Sequence, residues 1–416
     1  MDYISSKNIS LLVSETLKLI DNRIVNHGSK VAYLIYKMLE CKGGYEKFEV
    51  AELALLATIH DIGAYKTDAD NDMLTFEFKN FAPHSIYGYL FVKHLSPFED
   101  KAKILLYHNT DWSQIENMDF EYKDIAAYIN IAEKVIIYNN ALGDKFEYTM
   151  FEKYRNSKFS PEALDLLYQA IKGSDALKKI NTEEYIQELE GLYSFILFTN
   201  EEKEKYLEMM LFCAGLRSEN SVVDTVTSIC ICEELGRRLG VSNTELEILY
   251  YGALLHDMGM LAVPKEIIEA NRKLTVEEIA VVRSHVNIEI EILKDKLTKE
   301  VFEVAISHHE RSDGSGYPRG LKDNEMNRLQ KIMQLADTVC GLTNKRSYHN
   351  SKTKDEVIAI ITDEVGRHKY SKEVADTFIY YYDGIMQRVA ERANEILFTH
   401  DKLNDQYEAV LKNFMK

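Results

Sequence analysis

The feature that most constrains this chain is a pattern of metal-binding side chains that occurs twice along its 416 residues. In each half, one imidazole or carboxylate is followed 32 or 33 residues later by an adjacent His-Asp pair. Further histidines and one acidic residue then follow at intervals of 23 to 29 residues. A repeat of this length indicates two similar structural units, so the chain should fold as a tandem.

The two sets of residues follow the same order along the chain. The first set is His27, His60, Asp61, His84, His108 and Glu133. The second set is Asp224, His256, Asp257, His285, His308, His309 and Asp337. Because chance agreement over so many positions is implausible, we interpret both sets as candidate metal ligands.

The second half has the stronger signal, because two adjacent histidines run into a glycine-rich turn. The segment from His308 to Pro318 reads HHERSDGSGYP. The pair His256-Asp257 ends one apolar run and Asp337 follows another, so both lie at the ends of predicted buried helices. A histidine beside an aspartate in such a place is costly unless something binds and neutralises it. Metal binding is therefore the first hypothesis.

Taken together, these motifs resemble those of the HD-GYP family of HD-superfamily metal-dependent phosphohydrolases. The resemblance runs from residue 216 to residue 387 and rests on the segments LLHDMG and HHE-x-x-DG-x-GYP, on His285 and on Asp337. It implies two divalent transition metals, and iron, manganese, zinc and nickel all suit mixed nitrogen and oxygen ligands. The ligands that the resemblance implies are Asp224, His256, Asp257, His285, His308, His309 and Asp337.

Three residues depart from the family's pattern. Asp224 stands where the family has its first metal-binding histidine, and a carboxylate can replace that histidine as an oxygen ligand. Met260 stands where the family has a phosphate-facing lysine. Asn220 stands where some members have a glutamate that holds a third metal, so the resemblance implies two metals here.

The resemblance also implies the reaction, which is hydrolysis of a cyclic dinucleotide by a metal-bridging hydroxide. Cyclic di-GMP is the family's usual substrate, and cyclic GMP-AMP is a close relative of it. The expected catalytic residues are His256 and Asp257, and the expected substrate-binding residues are Arg346 and Tyr317. A guanidinium can fork onto phosphate oxygens. For Tyr317, a purely structural turn is an equal alternative.

Two other functions stay open from the sequence. The first unit could hydrolyse a nucleoside mono- or triphosphate, as simpler HD proteins do. The chain could instead be a nucleotide sensor or dimeric scaffold without turnover. In the first unit, Asn109 stands where the second has His309, and Ala64 stands at a lysine position. That unit is therefore a second candidate site, for one or two metals, with or without hydrolysis.

Composition and periodicity indicate an all-α fold. The chain is 46% hydrophobic, with long helical patterns and only 5 prolines and 19 glycines. The predicted boundaries are residues 1–180 for a divergent HD domain, 181–215 for a helical connector and 216–416 for an HD-GYP domain with a C-terminal helix. That last helix is expected to pack on the bundle, with a homodimer contact as the alternative.

The charge of the chain limits its partners. A net charge of −17 repels long nucleic acids, whereas bound metal ions supply local positive charge for a small nucleotide. No apolar run reaches membrane-spanning length and no signal peptide is recognisable, so we expect no membrane partner and a cytoplasmic protein. Five cysteines without C-x-x-C spacing indicate reduced thiols.

Overall fold

The computed structural model describes residues 3–66, 82–217, 219–344 and 351–414, and these residues contain helices and no strand. The chain divides into two compact units. The N-terminal unit comprises Ile9–Met209 and Lys402–Lys416, and the C-terminal unit comprises Met1–Asn8 and Met210–Asp401. The predicted all-α class is therefore confirmed.

The α-helices are numbered in chain order. Those of the first half are α1 (Ser6–Ile20), α2 (Asn22–Lys42), α3 (Lys47–Thr58), α4 (Ala82–Leu95), α5 (Lys103–Tyr107), α6 (Trp112–Ile115), α7 (Lys123–Leu142), α8 (Pro161–Ser174), α9 (Ala176–Asn181), α10 (Tyr185–Tyr193) and α11 (Asn200–Arg217). Those of the second half are α12 (Glu219–Arg238), α13 (Asn243–Leu255), α14 (Lys265–Ile268), α15 (Val276–Arg283), α16 (His285–Leu293), α17 (Lys299–Ala305), α18 (Arg328–Thr343), α19 (Lys354–Gly366), α20 (Lys372–Tyr380) and α21 (Tyr382–Phe414). Over the described residues, none of these helices is both long and apolar enough to cross a membrane.

Short polar side chains fix where several of these helices begin. Ser242 precedes α13 and Asn327 precedes α18, and each side chain accepts a hydrogen bond from the backbone N–H three residues later. The residue at that third position, Glu245 or Gln330, accepts a hydrogen bond from the backbone of the capping residue in return. Such capping boxes satisfy N–H groups that the first helical turn leaves unpaired, and losing a cap costs about 1 kcal/mol. They set the starts of the two helices that lead to His256 and Asp337.

The two units pack corresponding helices in the same way. In the N-terminal unit, α2 packs against α3 and α7, and α5 packs against α7. In the C-terminal unit, α12 packs against α13 and α18, and α17 packs against α18. The helices meet through fully buried apolar side chains, for example Ile35 and Leu55 in one unit and Ile231 and Leu249 in the other. The tandem arrangement that the residue spacing predicted is thus confirmed.

One glycine in each unit allows the His-Asp segment to approach the next histidine helix. A Cβ on Gly63 would lie 2.0 Å from the carbonyl oxygen of His84. A Cβ on Gly259 would lie 2.0 Å from the carbonyl oxygen of His285. No residue with a side chain permits so close an approach. In both units, this close contact places the His-Asp pair beside the following histidine.

The N-terminal segment of the chain belongs to the C-terminal unit. The Tyr3 hydroxyl donates a hydrogen bond to the Glu247 carboxylate at 2.9 Å. The Asn8 side-chain amide donates to the carbonyl oxygen of Lys296 at 2.8 Å. These bonds attach residues 3–8 to α13 and to the segment that follows α16.

The end of α21 belongs in turn to the N-terminal unit. The Tyr407 ring stacks on the Tyr87 ring with centroids 4.2 Å apart, and Nε2 of His94 lies 2.7 Å from Oε1 of Gln406. Apolar side chains of this last segment cover the buried core residues Ile86, Leu90 and Leu106, and they are Leu403, Tyr407, Val410 and Leu411. Residues 402–414 therefore form part of the apolar packing around α4.

Candidate metal centres

Five of the seven candidate ligands of the C-terminal unit lie where helices begin or end. His256 directly follows α13, and Asp257 comes next. His285 is the first residue of α16, while His308 and His309 lie in the turn that follows α17. Side chains at helix ends can converge on one point without crowding the packed centre of the bundle.

Backbone carbonyl groups fix the direction of three imidazole rings. Nδ1 of His256, His285 and His308 each donates to the carbonyl oxygen of the residue three positions earlier, at 2.7, 2.5 and 2.7 Å. Because Nδ1 carries the proton in each ring, Nε2 is left with a lone pair. This is the tautomer in which an imidazole binds a metal, and a backbone acceptor behind the ring is the usual support for it.

The free Nε2 atoms meet around Asp257. Nε2 of His285 lies 3.1 Å from Nε2 of His308, and these atoms lie 3.5 and 3.9 Å from Oδ1 of Asp257. Nε2 of His256 lies 3.3 Å from the other carboxylate oxygen, Oδ2. Two lone pairs so close together repel each other unless a cation lies between them. The mixed nitrogen and oxygen donors therefore fit divalent transition ions, with Asp257 able to bridge two of them.

His309 and Asp337 complete this cluster. Nδ1 of His309 lies 3.3 Å from Oδ2 of Asp337, which projects from α18. His285, His308 and His309 each offer one ligand atom, and these atoms all lie within 4.8 Å of one another. The structure thus brings together six of the seven predicted ligands.

Electrostatics favours the protonation states that bind metals. Burial lowers the pKa of His285 and His308, and for His308 the neighbouring imidazoles lower it further. Although burial opposes it, the adjacent imidazoles hold the pKa of Asp257 and Asp337 well below the usual value. Burial also lowers the pKa of His256, but Asp257 outweighs it and raises that pKa to about 9. A metal ion would displace this proton on binding.

Four further residues were singled out from the sequence. Oδ1 of Asp224 accepts a hydrogen bond from the Asn344 side-chain amide at 2.7 Å. Arg346 falls outside the described residues, as does the side chain of Asn220. Met260 is half-buried in the short 3-10 helix after Asp257.

Glu310 organises the glycine-rich loop after the two histidines. Its carboxylate is fully buried and accepts hydrogen bonds from the backbone N–H groups of Arg319 and Leu321, each at 2.8 Å. A Cβ on Gly316 would lie 2.3 Å from the backbone nitrogen of Arg311, so the loop closes on itself only through glycine. The loop is therefore held rigidly beside the cluster.

This loop places Tyr317 against the metal ligands. The Tyr317 and His309 ring centroids are 4.7 Å apart, and the Arg283 guanidinium lies 5.1 Å from the Tyr317 centroid. Arg283 is exposed and precedes His285 by two residues. The sequence analysis missed it, because no motif distinguishes it from other surface arginines. It adds a cation next to the site.

Glu289 is a second residue that the sequence analysis missed. It lies one helical turn after His285, it is completely buried, and neither of its carboxylate oxygens has a hydrogen-bond partner. Burial, together with Asp257 and Asp337, raises its pKa well above the usual value. The N-terminal unit has Gly88 at the same distance from His84. An alignment of the two halves would have shown a glutamate in one unit where the other has a glycine.

The N-terminal unit brings together all six of its candidate ligands, and all are buried. Their ligand atoms form three overlapping groups within 4.8 Å, which are His27 with His60 and Asp61, His60 with His108 and Glu133, and Asp61 with His84 and His108. As in the other unit, Nδ1 of His60 and of His108 donates to the carbonyl oxygen three positions earlier, at 2.7 Å in both rings.

The electrostatics of this cluster resembles that of the other. Oδ2 of Asp61 lies 3.2 Å from Nε2 of His60, and Oδ1 lies 3.7 and 3.5 Å from Nε2 of His84 and His108. Burial lowers the pKa of His27 and of His84 to about 4. Burial also lowers the pKa of His60, but Asp61 outweighs it and raises that pKa to about 9.

Two residues distinguish the N-terminal cluster from its counterpart. The side-chain nitrogen of Asn109 donates to Nε2 of His84 at 3.1 Å and to Nε2 of His108 at 2.7 Å. Nζ of Lys134 donates to Oδ1 of Asn109 at 3.4 Å and to Oε1 of Glu133 at 3.0 Å. The corresponding positions of the C-terminal unit are His309 and a neutral threonine.

Comparisons with known proteins match both halves of the chain. HD domain families match residues 24–136 and residues 208–374. The chain is 27% identical over 407 residues to the 3′3′-cGAMP-specific phosphodiesterase 1 of Vibrio cholerae, which covers 89% of this chain and 91% of that protein. It is 33% identical to a cyclic di-GMP phosphodiesterase of Thermotoga maritima over 35% of this chain and 40% of that protein.

One solved structure has the same fold along nearly the whole chain. The crystal structure of a cyclic GMP-AMP specific phosphodiesterase of V. cholerae aligns with a TM-score of 0.59 at 15% identity. The alignment covers 92% of this chain and 98% of that one. The likeness therefore extends over both units.

Proposed function

Because the chain belongs to the HD superfamily of metal-dependent phosphohydrolases, with two HD domains in tandem, we propose that its C-terminal unit hydrolyses a cyclic dinucleotide. The observation that carries the proposal is the convergence of three imidazole Nε2 atoms on Asp257, next to His309 and Asp337. The relatives act on 3′3′-cGAMP or cyclic di-GMP by name, so these two are the candidate substrates.

The donor set supports two divalent transition ions. His285, His308 and His309 would hold one, while His256 and Asp337 would hold the other, with Asp257 between them. When bound, such a pair ionises water near neutral pH and neutralises the oxygens of the scissile phosphate. Asp224 remains a proposed further ligand of the second ion, and one of its carboxylate oxygens accepts a hydrogen bond from Asn344.

Residues around the cluster support recognition of a nucleotide. The Tyr317 ring offers a surface on which a base can stack, and such stacking contributes about 1–3 kcal/mol per base. Arg283 lies beside that ring and supplies positive charge for a phosphate. Arg346 remains a proposed second cation for the same role. The buried Glu310 carboxylate holds the loop, so that Tyr317 keeps its place before substrate binds.

The experiment is a substrate panel on the full chain. Protein loaded with Mn²⁺ or Fe²⁺ is incubated with cyclic di-GMP, 3′3′-cGAMP and cyclic di-AMP, and the products are separated by chromatography. We expect linear dinucleotides or mononucleotides from at least one guanine-containing substrate. If no product forms from any of them with either metal, the proposed function is wrong.

Matched variants locate the reaction. Asp257→Asn should abolish hydrolysis, because the bridging carboxylate loses its charge, whereas Asp376→Asn replaces an exposed aspartate on α20 and should leave it unchanged. Asp61→Asn tests the other unit. Loss of hydrolysis with Asp61→Asn and not with Asp257→Asn would assign the reaction to the N-terminal unit. Tight nucleotide binding by calorimetry without turnover would instead identify a sensor.

A further inference from the structure

We propose that the N-terminal cluster binds a single divalent metal ion, and that Asn109 and Lys134 together occupy the place of a second ion. The C-terminal unit shows which side chains form a binding site for a second ion. There, one ligand atom each of His285, His308 and His309 lies within 4.8 Å of the other two. The N-terminal unit has the first two of these imidazoles, in His84 and His108, but an asparagine replaces the third.

The Asn109 amide fills the space between the two imidazoles. Its nitrogen lies 3.1 Å from Nε2 of His84 and 2.7 Å from Nε2 of His108. An amide nitrogen carries two hydrogens, so it can donate one to each ring. In His108, Nδ1 donates to a backbone carbonyl, which leaves Nε2 as the acceptor. The lone pairs that would hold a second metal are therefore already engaged.

Lys134 fixes the orientation of that amide and supplies charge. Its ammonium donates to Oδ1 of Asn109 at 3.4 Å, which places the oxygen toward the lysine and the nitrogen toward the imidazoles. The ammonium also donates to Oε1 of Glu133 at 3.0 Å. At the corresponding position the C-terminal unit has Thr338, which is neutral. A fixed cation beside the amide opposes the entry of a divalent ion there.

The remaining donors still suit one ion. Nδ1 of His27 and Oε2 of Glu133 are buried and have no hydrogen-bond partner. His27 shares a group within 4.8 Å with His60 and Asp61, and Glu133 shares one with His60. Buried polar atoms without partners are costly, and an ion bound among these four residues would satisfy them. The resulting set of two imidazoles and two carboxylates is typical of divalent transition metals.

A single ion changes what this unit can do. Two-metal hydrolysis needs one ion near the attacking oxygen and another near the leaving oxygen. The amide and ammonium can donate hydrogen bonds, but they provide no coordination site for a nucleophile. The N-terminal centre is thus excluded from two-metal hydrolysis. An ion bound there stabilises its own helical unit, and this role is independent of the reaction proposed for the C-terminal unit.

Metal content tests this inference on the full chain. Each variant is equilibrated with Mn²⁺, dialysed and measured by mass spectrometry as ions per chain. His60→Ala and Glu133→Gln should each lose one ion relative to the wild type, and paramagnetic resonance should lose the hyperfine signal of an isolated Mn²⁺. The double variant Asn109→His with Lys134→Thr should gain one ion. Lys172→Thr, an exposed lysine of the same unit, is the control.

The possible results decide the question. Equal metal content in wild type, His60→Ala and Glu133→Gln would show that the cluster binds no ion. Loss of two ions in His60→Ala, with circular dichroism unchanged, would show a dinuclear site. No gain in the double variant would remove the role given to Asn109 and Lys134. Any of these overturns the inference, and none depends on hydrolysis of a nucleotide.

Discussion

The His309 imidazole and the Tyr317 phenol ring lie against each other, with centroids 4.7 Å apart. One ring belongs to the metal cluster and the other to the glycine-rich loop. The loop therefore contacts the cluster directly, and a base stacked on Tyr317 would lie next to the metal ligands. Under the proposed function, base stacking would depend on the tyrosine ring rather than on its hydroxyl.

The first prediction distinguishes the contribution of the Tyr317 ring to activity from that of its hydroxyl. Tyr317→Phe keeps the stacking surface, so kcat/KM for the cyclic dinucleotide should stay within about threefold. Tyr317→Ala should lower kcat/KM by at least about tenfold, since stacking contributes about 1–3 kcal/mol per base. Tyr380→Ala, which removes an exposed tyrosine of the same unit, is the control. Equal activity of Tyr317→Ala and wild type would leave Tyr317 with a structural role alone.

The second prediction concerns the close approach of Gly316 to the backbone of Arg311 in the glycine-rich loop. In Gly316→Ala the new Cβ would lie 2.3 Å from the Arg311 backbone nitrogen, so the backbone must move. We expect kcat/KM to fall at least about tenfold and stability to fall by about 1–3 kcal/mol. At Gly366 an added Cβ meets nothing within 4 Å, so Gly366→Ala should be neutral or slightly stabilising in urea unfolding. The same activity in both variants would contradict this account.

The third prediction concerns Glu310, whose carboxylate accepts hydrogen bonds from the backbone of the glycine-rich loop. Glu310→Gln keeps the size of the side chain but turns one oxygen toward Arg319 or Leu321 into a donor that faces another N–H group. The free energy of unfolding should fall by about 1–3 kcal/mol. KM should rise more than kcat falls, because the loop is displaced and the metal ligands stay. Steady-state kinetics with unchanged KM would show that the bonds do not position the loop.

The fourth prediction concerns pH and Glu289. Burial and two nearby carboxylates raise its pKa, so the folded state binds its proton more tightly than the unfolded state. Its stabilising contribution is therefore complete below pH about 4.3 and is lost as pH rises toward the folded pKa. In metal-free protein, Glu289→Gln should be more stable than wild type at pH 8 by at least about 1 kcal/mol.

Denaturant unfolding of wild type and variant over a pH series measures that difference. The gain in stability should shrink steadily as the pH is lowered toward 4. Glu291→Gln, an exposed neighbour on the same helix, is the control and should show no such trend. A gain that is constant across the series would mean that ionisation of Glu289 is not its cause.

Motif spacing and the family resemblance together predicted two clusters of metal-binding side chains. His285 begins α16, whereas His108 directly follows the short helix α5 and His308 lies in the turn after α17. His285 and His308 therefore converge as expected, as do His84 and His108 in the other unit. The tandem follows from the repeated spacing, the HD type from the family resemblance, and the helical class from composition and periodicity. One carboxylate oxygen of Asp224 accepts a hydrogen bond from Asn344, a contact that the spacing does not reveal.

Other features depend on tertiary contacts that no spacing reveals. The sequence shows that Asn109 replaces a histidine, but only the structure shows its amide between two imidazoles. The burial of Glu289 depends on the packing of α16 against the His-Asp segment. An amphipathic pattern predicts that one face of α21 is buried, yet it does not name the helix that covers it.

The position of residues 402–414 in the N-terminal unit determines how the chain can be taken apart. A fragment that stops at residue 209 would leave Ile86 and Leu90 without the side chains of Leu403 and Tyr407, and such bare apolar patches promote aggregation. Biochemists who want an isolated first half should graft the last helical turns of the protein onto that fragment. Simple truncation at residue 209 would yield a fragment with an exposed apolar surface.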